Sequence, residues 1–354
     1  MSQTNTYQRS AAENELNELR DSARQVLSGL GLAVDEEKVW PIVTDLGWLL
    51  VGVPEALGGL EQGVTGSCAF HAELGRSLAA SPYAAATIAI DAICHSSLAD
   101  QQSWIERFTA SDIVTASLAE SSVAFTNNKV TGTLTAVPSA DKASHVLVCV
   151  ENSELVSLLP LNQPGVELIA RKTWDTTRRL FDVRLTDVAL DETLTLAAGA
   201  DARALSSRIS TLRDFALAAD SIGGAEALLE MTVEYLKTRK QFGRPLALFQ
   251  ALKHRCADLK GLTSSAEALL NDSLSRVGNQ LEDEQAADMG KAAKYLACSV
   301  YARVAEESLQ LHGGIGMTSE YPCHLYLKRA LLNEHLGGGN YELEIADHFL
   351  RVNS

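Results

Sequence analysis

No long basic run interrupts this sequence, no apolar stretch reaches the roughly 18 residues of a membrane span, and neither a CxxC pair nor an internal repeat occurs. Each absence excludes something. Thirty basic residues stand against 45 acidic ones, a formal charge of -15. A surface of that sign does not suit nucleic acid or an anionic membrane, and any bound anion has to be met by a local cation. The opening MSQTNTYQRSAAENELNELRD is polar and acidic, unlike a secretory leader, so the cytoplasm is the expected location. The cysteines Cys68, Cys94, Cys149, Cys256, Cys298 and Cys323 lie far apart, with no histidine at metal-ligand spacing. They read as reduced packing residues, and zinc, haem and iron–sulfur clusters are not expected. Cys323 draws notice because it lies beside the motifs described below.

What remains is a chain of 354 residues, 46% hydrophobic, enough for a large core in two or three structural units. From about Ala11 to Ala110 apolar residues recur at helical spacing, as in LRDSARQVLSGLG and VWPIVTDLGWLLVGV, and Gly58-Gly59 break the second run. Between about Ile113 and Asp191 short β-type segments such as HVLVCV and RLFDVRL alternate with polar turns such as TNNK and NQPG, predicting a mostly antiparallel β unit. Beyond Ala202 the segments TLRDFALAADSIGGAEALLEMTVEYLKTRKQF and EQAADMGKAAKYLACSVYARVAEESLQLH are long enough for a helical bundle. Pro245 is expected to start a further helix with Phe249, Leu252, Cys256, Leu259 and Thr263 on one face, and Gly313-Gly314 to stop the helix before it. The fold class is therefore α+β, mainly α, divided as residues 1–110 (helical), 111–200 (β) and 201–354 (helical bundle).

Three segments, in order, resemble the acyl-CoA dehydrogenase family. Arg239-Lys240-Gln241-Phe242-Gly243, followed by Phe249-Gln250 and Ala257-Asp258-Leu259, is similar to the family's Arg-x-Gln-Phe-Gly, Gln and Ala-Asp pattern. Gln310-Leu311-His312-Gly313-Gly314-Ile315-Gly316 with Glu320-Tyr321-Pro322 is a second match, and Leu46-Gly47-Trp48, Val53-Pro54-Glu55 and Gly58-Gly59 form a weaker third. The resemblance implies an amino-terminal helical domain, a central β domain and a carboxy-terminal four-helix bundle. It also implies FAD held between subunits, with the bundle of one reaching across to the pyrophosphate and adenosine half of a neighbour's flavin. Arg239 would then meet the pyrophosphate, Phe242 and Gln250 would lie near it, and Gln310, Leu311, His312, Gly313 and Gly314 would line the adenosine side. The residue types suit such contacts, since a guanidinium offers a planar set of donors to phosphate oxygens and glycine lets backbone approach a ligand.

The resemblance fails at the chemistry. In this family a carboxylate takes the α-proton of an acyl-CoA while the β-hydrogen leaves as hydride to the flavin. The usual Tyr-Glu-Gly-Thr segment falls on Leu336-Gly337-Gly338-Gly339, so the position of the base is Gly337. The alternative station of some relatives falls on Arg213, which cannot accept a proton. Glu334, the weak candidate for a relocated base, Asp214 and Glu342 are the nearest acids. The flavin-shelving segments correspond to Leu118-Ala119-Glu120-Ser121-Ser122 and Ala136-Val137-Pro138, without the family's threonine, tryptophan and glycine-rich turn. By resemblance this is the incomplete partner in an α2β2 heterotetramer, as in dehydrogenases that shorten steroid side chains. A second acyl-CoA dehydrogenase subunit would carry the acyl-CoA, and an electron-transfer flavoprotein would accept the electrons. Three alternatives stay open: an active homotetramer with a relocated base, a different flavin chemistry on the same scaffold, and a flavin-free structural subunit.

Overall fold

A single 40-residue helix, α6 (Gly199–Thr238), organises the molecule. The structure is a computed structural model and describes residues 2–150, 152 and 154–338. Every residue of α6 from Thr211 to Ala225 is buried, which is possible only where neighbouring elements surround it. Small residues allow that enclosure. A Cβ on Gly223 would lie 1.8 Å from the Ala72 carbonyl oxygen, and one on Gly75 would lie 2.1 Å from that of Asp220. Helix α3 (Gly63–Ser77) therefore crosses α6 backbone against backbone, and even alanine at either glycine would force the helices apart.

The amino-terminal layer comprises α1 (Ser2–Leu30), α2 (Glu36–Asp45), α3, α4 (Tyr83–Cys94) and α5 (Gln101–Thr109). Arg24 pairs with the buried Glu73 at 2.7 Å and ties α1 to α3. Helix α4 buries Ala85, Ala86, Ile88, Ala89 and Ile93, joining the core that α6 shares.

The β layer is two four-stranded sheets. One has the order β1-β4-β5-β8, from β1 (Val114–Ala116), β4 (His145–Cys149), β5 (Leu155–Pro160) and β8 (Thr195–Ala198). The other has the order β2-β3-β7-β6, from β2 (Ser122–Thr126), β3 (Lys129–Pro138), β6 (Val166–Ala170) and β7 (Leu180–Ala189). Only β1 against β4 is parallel among these pairings; the others are antiparallel. Val123, Val130, Leu134, Val146, Leu159, Val183 and Leu185 make a separate core for this layer.

The carboxy-terminal bundle packs α6 with α7 (Gln250–Val277), α8 (Glu284–His312) and α9 (Cys323–His335). Gly313, with φ +64°, ends α8 as a glycine stop does. Pro245 does not start α7. With φ -57° and ψ 142° it is extended, in β10 (Arg244–Pro245) of a hairpin with β9 (Lys240–Gln241); it caps a single 3₁₀ turn, Leu246–Leu248, and α7 opens at Gln250. The bond from Leu246 N to the Arg239 carbonyl closes that hairpin and delays the helix. Of the expected α7 face, Leu259 and Thr263 are buried, while Phe249, Leu252 and Cys256 are half-buried. All six cysteines are free. Among the described residues, no helix is long and apolar enough to cross a membrane, and no group of three His, Cys, Asp or Glu could hold a metal.

Candidate functional site

The residues singled out by sequence fall in two places with opposite character. The first is the outer end of the bundle. Arg239 caps α6, its amide donating to the Tyr235 carbonyl at 2.8 Å, and its side chain is exposed, with no ion-pair partner among the described residues. Gln241 and Arg244 pair across the hairpin, leaving Phe242 (φ +52°) and Gly243 (φ +77°) as its two-residue turn. Both residues are left-handed, as a type I′ turn requires. For phenylalanine that conformation costs about 1 kcal/mol, and the ring is 88% exposed, its centroid 6.0 Å from that of Phe249 in a T-shaped arrangement. A strained aromatic side chain that contributes almost nothing to its own core points to a use outside the chain. Gln250 is exposed at the first position of α7. Gln310, Gly313 and Gly314 are exposed as well, and a Cβ on either glycine would meet nothing within 4 Å. Leu311 and His312 differ: both side chains are buried, so they face the bundle rather than a surface ligand.

The second place surrounds Gly337. Its φ of +68° disfavours any other residue, and a Cβ there would lie 2.7 Å from Asp214 Oδ1 and 3.1 Å from Arg213 Nε. Arg213 and Asp214 are paired at 3.2 Å beneath it. Burial pushes the Asp214 carboxyl up, against the opposing pull of Arg213 and Lys294. The turn is held from both sides: Gly337 N donates to the Leu118 carbonyl at 2.8 Å, and Lys294 Nζ donates to the carbonyls of Gly338 at 2.7 Å and Glu334 at 3.3 Å. Glu334 itself is half-buried on α9; burial raises its carboxyl, Glu306 adds to the rise, and His335 and Lys294 oppose it. Gly339 and Glu342 lie outside the described residues.

The stretches expected to shelve a flavin ring are closed on themselves. Leu118 N donates to the Ala136 carbonyl at 3.2 Å, Ala119 N to Ser117 Oγ at 3.2 Å, Thr135 N to Ser121 Oγ at 3.1 Å and Ala136 N to Asp182 Oδ1 at 3.3 Å. Leu118 and Ala136 are buried. A ring edge needs donors facing it, and these donors already have acceptors in the chain. This side does not fit a flavin ring, and Gly337 offers no base.

Sequence reasoning missed a buried charged junction beside it. Arg329 of α9, 1% exposed, donates to Asp175 Oδ2 at 2.9 Å and Asp220 Oδ2 at 3.1 Å. Arg178 meets Asp220 Oδ1 at 2.9 Å and Asn333 Oδ1 at 2.6 Å, and Asn333 Nδ2 returns to Asp220 Oδ1 at 2.8 Å. Burial alone would raise the Asp220 carboxyl, but Arg178 and Arg329 hold it below its ordinary value. A small cavity opens onto this junction, lined by His71, Tyr83, Leu118 and Ser139 as well as Arg178, Asp220 and Arg329. The only hint in the sequence was Asp220 itself, a carboxylate inside the apolar run FALAADSIGG.

Comparison with known proteins agrees with this architecture. Residues 9–112 match the acyl-CoA dehydrogenase N-terminal domain and residues 207–346 the acyl-CoA dehydrogenase C-terminal domain. The chain belongs to the acyl-CoA dehydrogenase family. It is 31% identical over 296 residues to the acyl-CoA dehydrogenase IpdE2 of Mycobacterium tuberculosis, covering 83% of this chain and 80% of that protein. Among solved structures it is similar to the ChsE4-ChsE5 complex of Mycobacterium tuberculosis, with a TM-score of 0.83, 26% identity and 96% of each chain covered. It is also similar to a Tcur3481-Tcur3483 steroid ACAD variant, with a TM-score of 0.84, 25% identity, and 97% of this chain and 99% of that chain covered.

Proposed function

We propose that this chain is the subunit of a heteromeric, FAD-dependent acyl-CoA dehydrogenase that completes a partner's flavin site and does not carry out proton abstraction itself. The observation that carries the proposal is Gly337, where Asp214 and Arg213 occupy the space into which a base would project and the backbone amide is bonded to Leu118. The outer bundle end supports the other half. Arg239 supplies a guanidinium, without an ion-pair partner among the described residues, for a diphosphate. Gln250 and Gln310 offer amides, and Gly313 and Gly314 leave room for close backbone approach. Phe242 presents an apolar face for a ribityl or adenosine portion. When bound on the partner, the flavin supplies hydride acceptance; this chain's residues bind and orient its phosphate-containing half. The partner would be a second acyl-CoA dehydrogenase subunit in an α2β2 tetramer, carrying the acyl-CoA. An electron-transfer flavoprotein would be the acceptor, and the complex would work in the cytoplasm. Similarity to a two-component complex and to a steroid ACAD favours a bulky, steroid-type acyl-CoA.

The test is native mass spectrometry of this chain co-expressed with a dehydrogenase subunit encoded beside it. One FAD per heterodimer is the expected count. A yellow preparation of this chain alone that oxidises acyl-CoA would overturn the proposal.

A further inference from the structure

We infer that Tyr235 is a positioning residue: it fixes the Arg239 hairpin and the Gly313-Gly314 turn relative to each other, and so sets the fit of both to a dinucleotide held by a second subunit. This rests on the function proposed above and assigns a role to a residue that would not touch the ligand.

Tyr235 sits one helical turn before Arg239, and its carbonyl accepts the Arg239 amide at 2.8 Å. Its side chain works on the other segment. The hydroxyl donates to the His312 carbonyl at 3.3 Å, and the ring stacks on the His312 ring at 4.4 Å with 23° between the planes. Tyr321, just before α9, closes the group, 5.3 Å from Tyr235 and 5.1 Å from His312. His312 Nδ1 donates to the Ser308 carbonyl at 2.8 Å within α8, and the Tyr235 hydroxyl satisfies the His312 carbonyl, one of the helix's four terminal acceptors. Nε2 of His312 is buried without a hydrogen-bond partner among the described residues, and burial lowers the pKa of the ring. The His312 ring, packed against both tyrosines, is a packing element. Three aromatic rings thus join α6, the end of α8 and the segment leading to α9, and the exposed groups Arg239, Gln310, Gly313 and Gly314 project from that joint.

The experiment compares Tyr235→Phe, Tyr235→Leu and Arg239→Ala in the complex with the catalytic partner, reading the FAD dissociation constant and, on this chain alone, hydrogen exchange at Gly313 and Gly314. Tyr235→Phe keeps the stack and removes one hydrogen bond. It is expected to weaken FAD about three- to tenfold and to speed exchange of the two glycine amides, with a melting temperature within about 3 °C of the parent. Tyr235→Leu also removes the stack and is expected to weaken FAD by at least a further threefold. If Arg239→Ala releases flavin while both Tyr235 variants hold it with unchanged affinity, the positioning role is wrong and the shared site stands. Flavin retained in full by Arg239→Ala would instead overturn the shared site itself.

Discussion

Arg213 lies within α6 and Arg239 caps it, and Lys294 and Gln310 share α8, yet successive stretches of these two helices treat polar groups in opposite ways. Around Gly337, Arg213 is paired with Asp214, Lys294 holds two carbonyls, and the amides of Leu118, Ala119, Thr135 and Ala136 all have acceptors in the chain. At the outer end, Arg239, Gln250 and Gln310 are exposed, and Phe242 holds a left-handed backbone in solvent. A polar group engaged inside a fold contributes to that fold; one left exposed on a rigid element is available to another molecule. In this chain the line between the two runs through single helices rather than between domains.

The contrast is broken most severely by substitutions at the sealed side. Arg329→Leu leaves Asp175 and Asp220 buried beside too little positive charge and should cost about 3–5 kcal/mol in chemical denaturation. Arg239→Ala should cost less than about 0.5 kcal/mol in the same assay. Equal losses for the two arginines would erase the distinction. Acid should act on the same side. Burial, helped by Arg178 and opposed by Asp220, lowers the pKa of His71 to about 4, below the unfolded value. The unfolded chain therefore binds the proton first, and the stability this group contributes is fully present above the unfolded pKa and lost as pH falls toward 4. The amount is about 3 kcal/mol at most. A His71→Gln variant should show a flatter stability profile across that window, and an unchanged slope would remove His71 as its source.

Gly337→Glu restores the family's residue type without restoring its surroundings. The left-handed backbone and the contact with Asp214 Oδ1 should cost about 2 kcal/mol, and the isolated chain should neither retain FAD on a desalting column nor oxidise acyl-CoA. Flavin retention by that variant would mean that the seal is loose. The smallest effect has the opposite sign. Phe242→Asn suits the type I′ turn and should stabilise the chain by about 0.5 kcal/mol in thermal unfolding while weakening FAD in the complex. A loss of stability would place Phe242 in the core of its own chain.

How far the sequence could be read depended on how local the determining interactions are. Helices α6 and α8 follow from the length of their apolar patterns, and the stop at Gly313 from backbone preference alone. Pro245 misled because its place is fixed by the bond from Leu246 N to the Arg239 carbonyl, which competes with helix initiation. The loss at Gly337 was visible as a missing carboxylate, but the closure around it was not, since Leu118 and Arg213 come from distant parts of the chain. Likewise nothing at Arg329 announces its partners, 154 and 109 residues earlier. The inward direction of His312 is a matter of which face of α8 meets Tyr235, and the spacing of a glycine stop does not specify it.

The junction of Arg329, Asp220, Arg178 and Asp175 also bears on how the molecule comes apart. Asp220 lies on α6, whose backbone is in contact with α3 at Gly75 and Gly223, while Asp175 and Arg178 come from the loop between β6 and β7. Separating the β layer from the bundle strands charges in both, and separating the amino-terminal layer removes the cover from α6 at the same point. Opening either contact therefore exposes buried charge in the layer left behind, which ties the local opening of each layer to that of its neighbours.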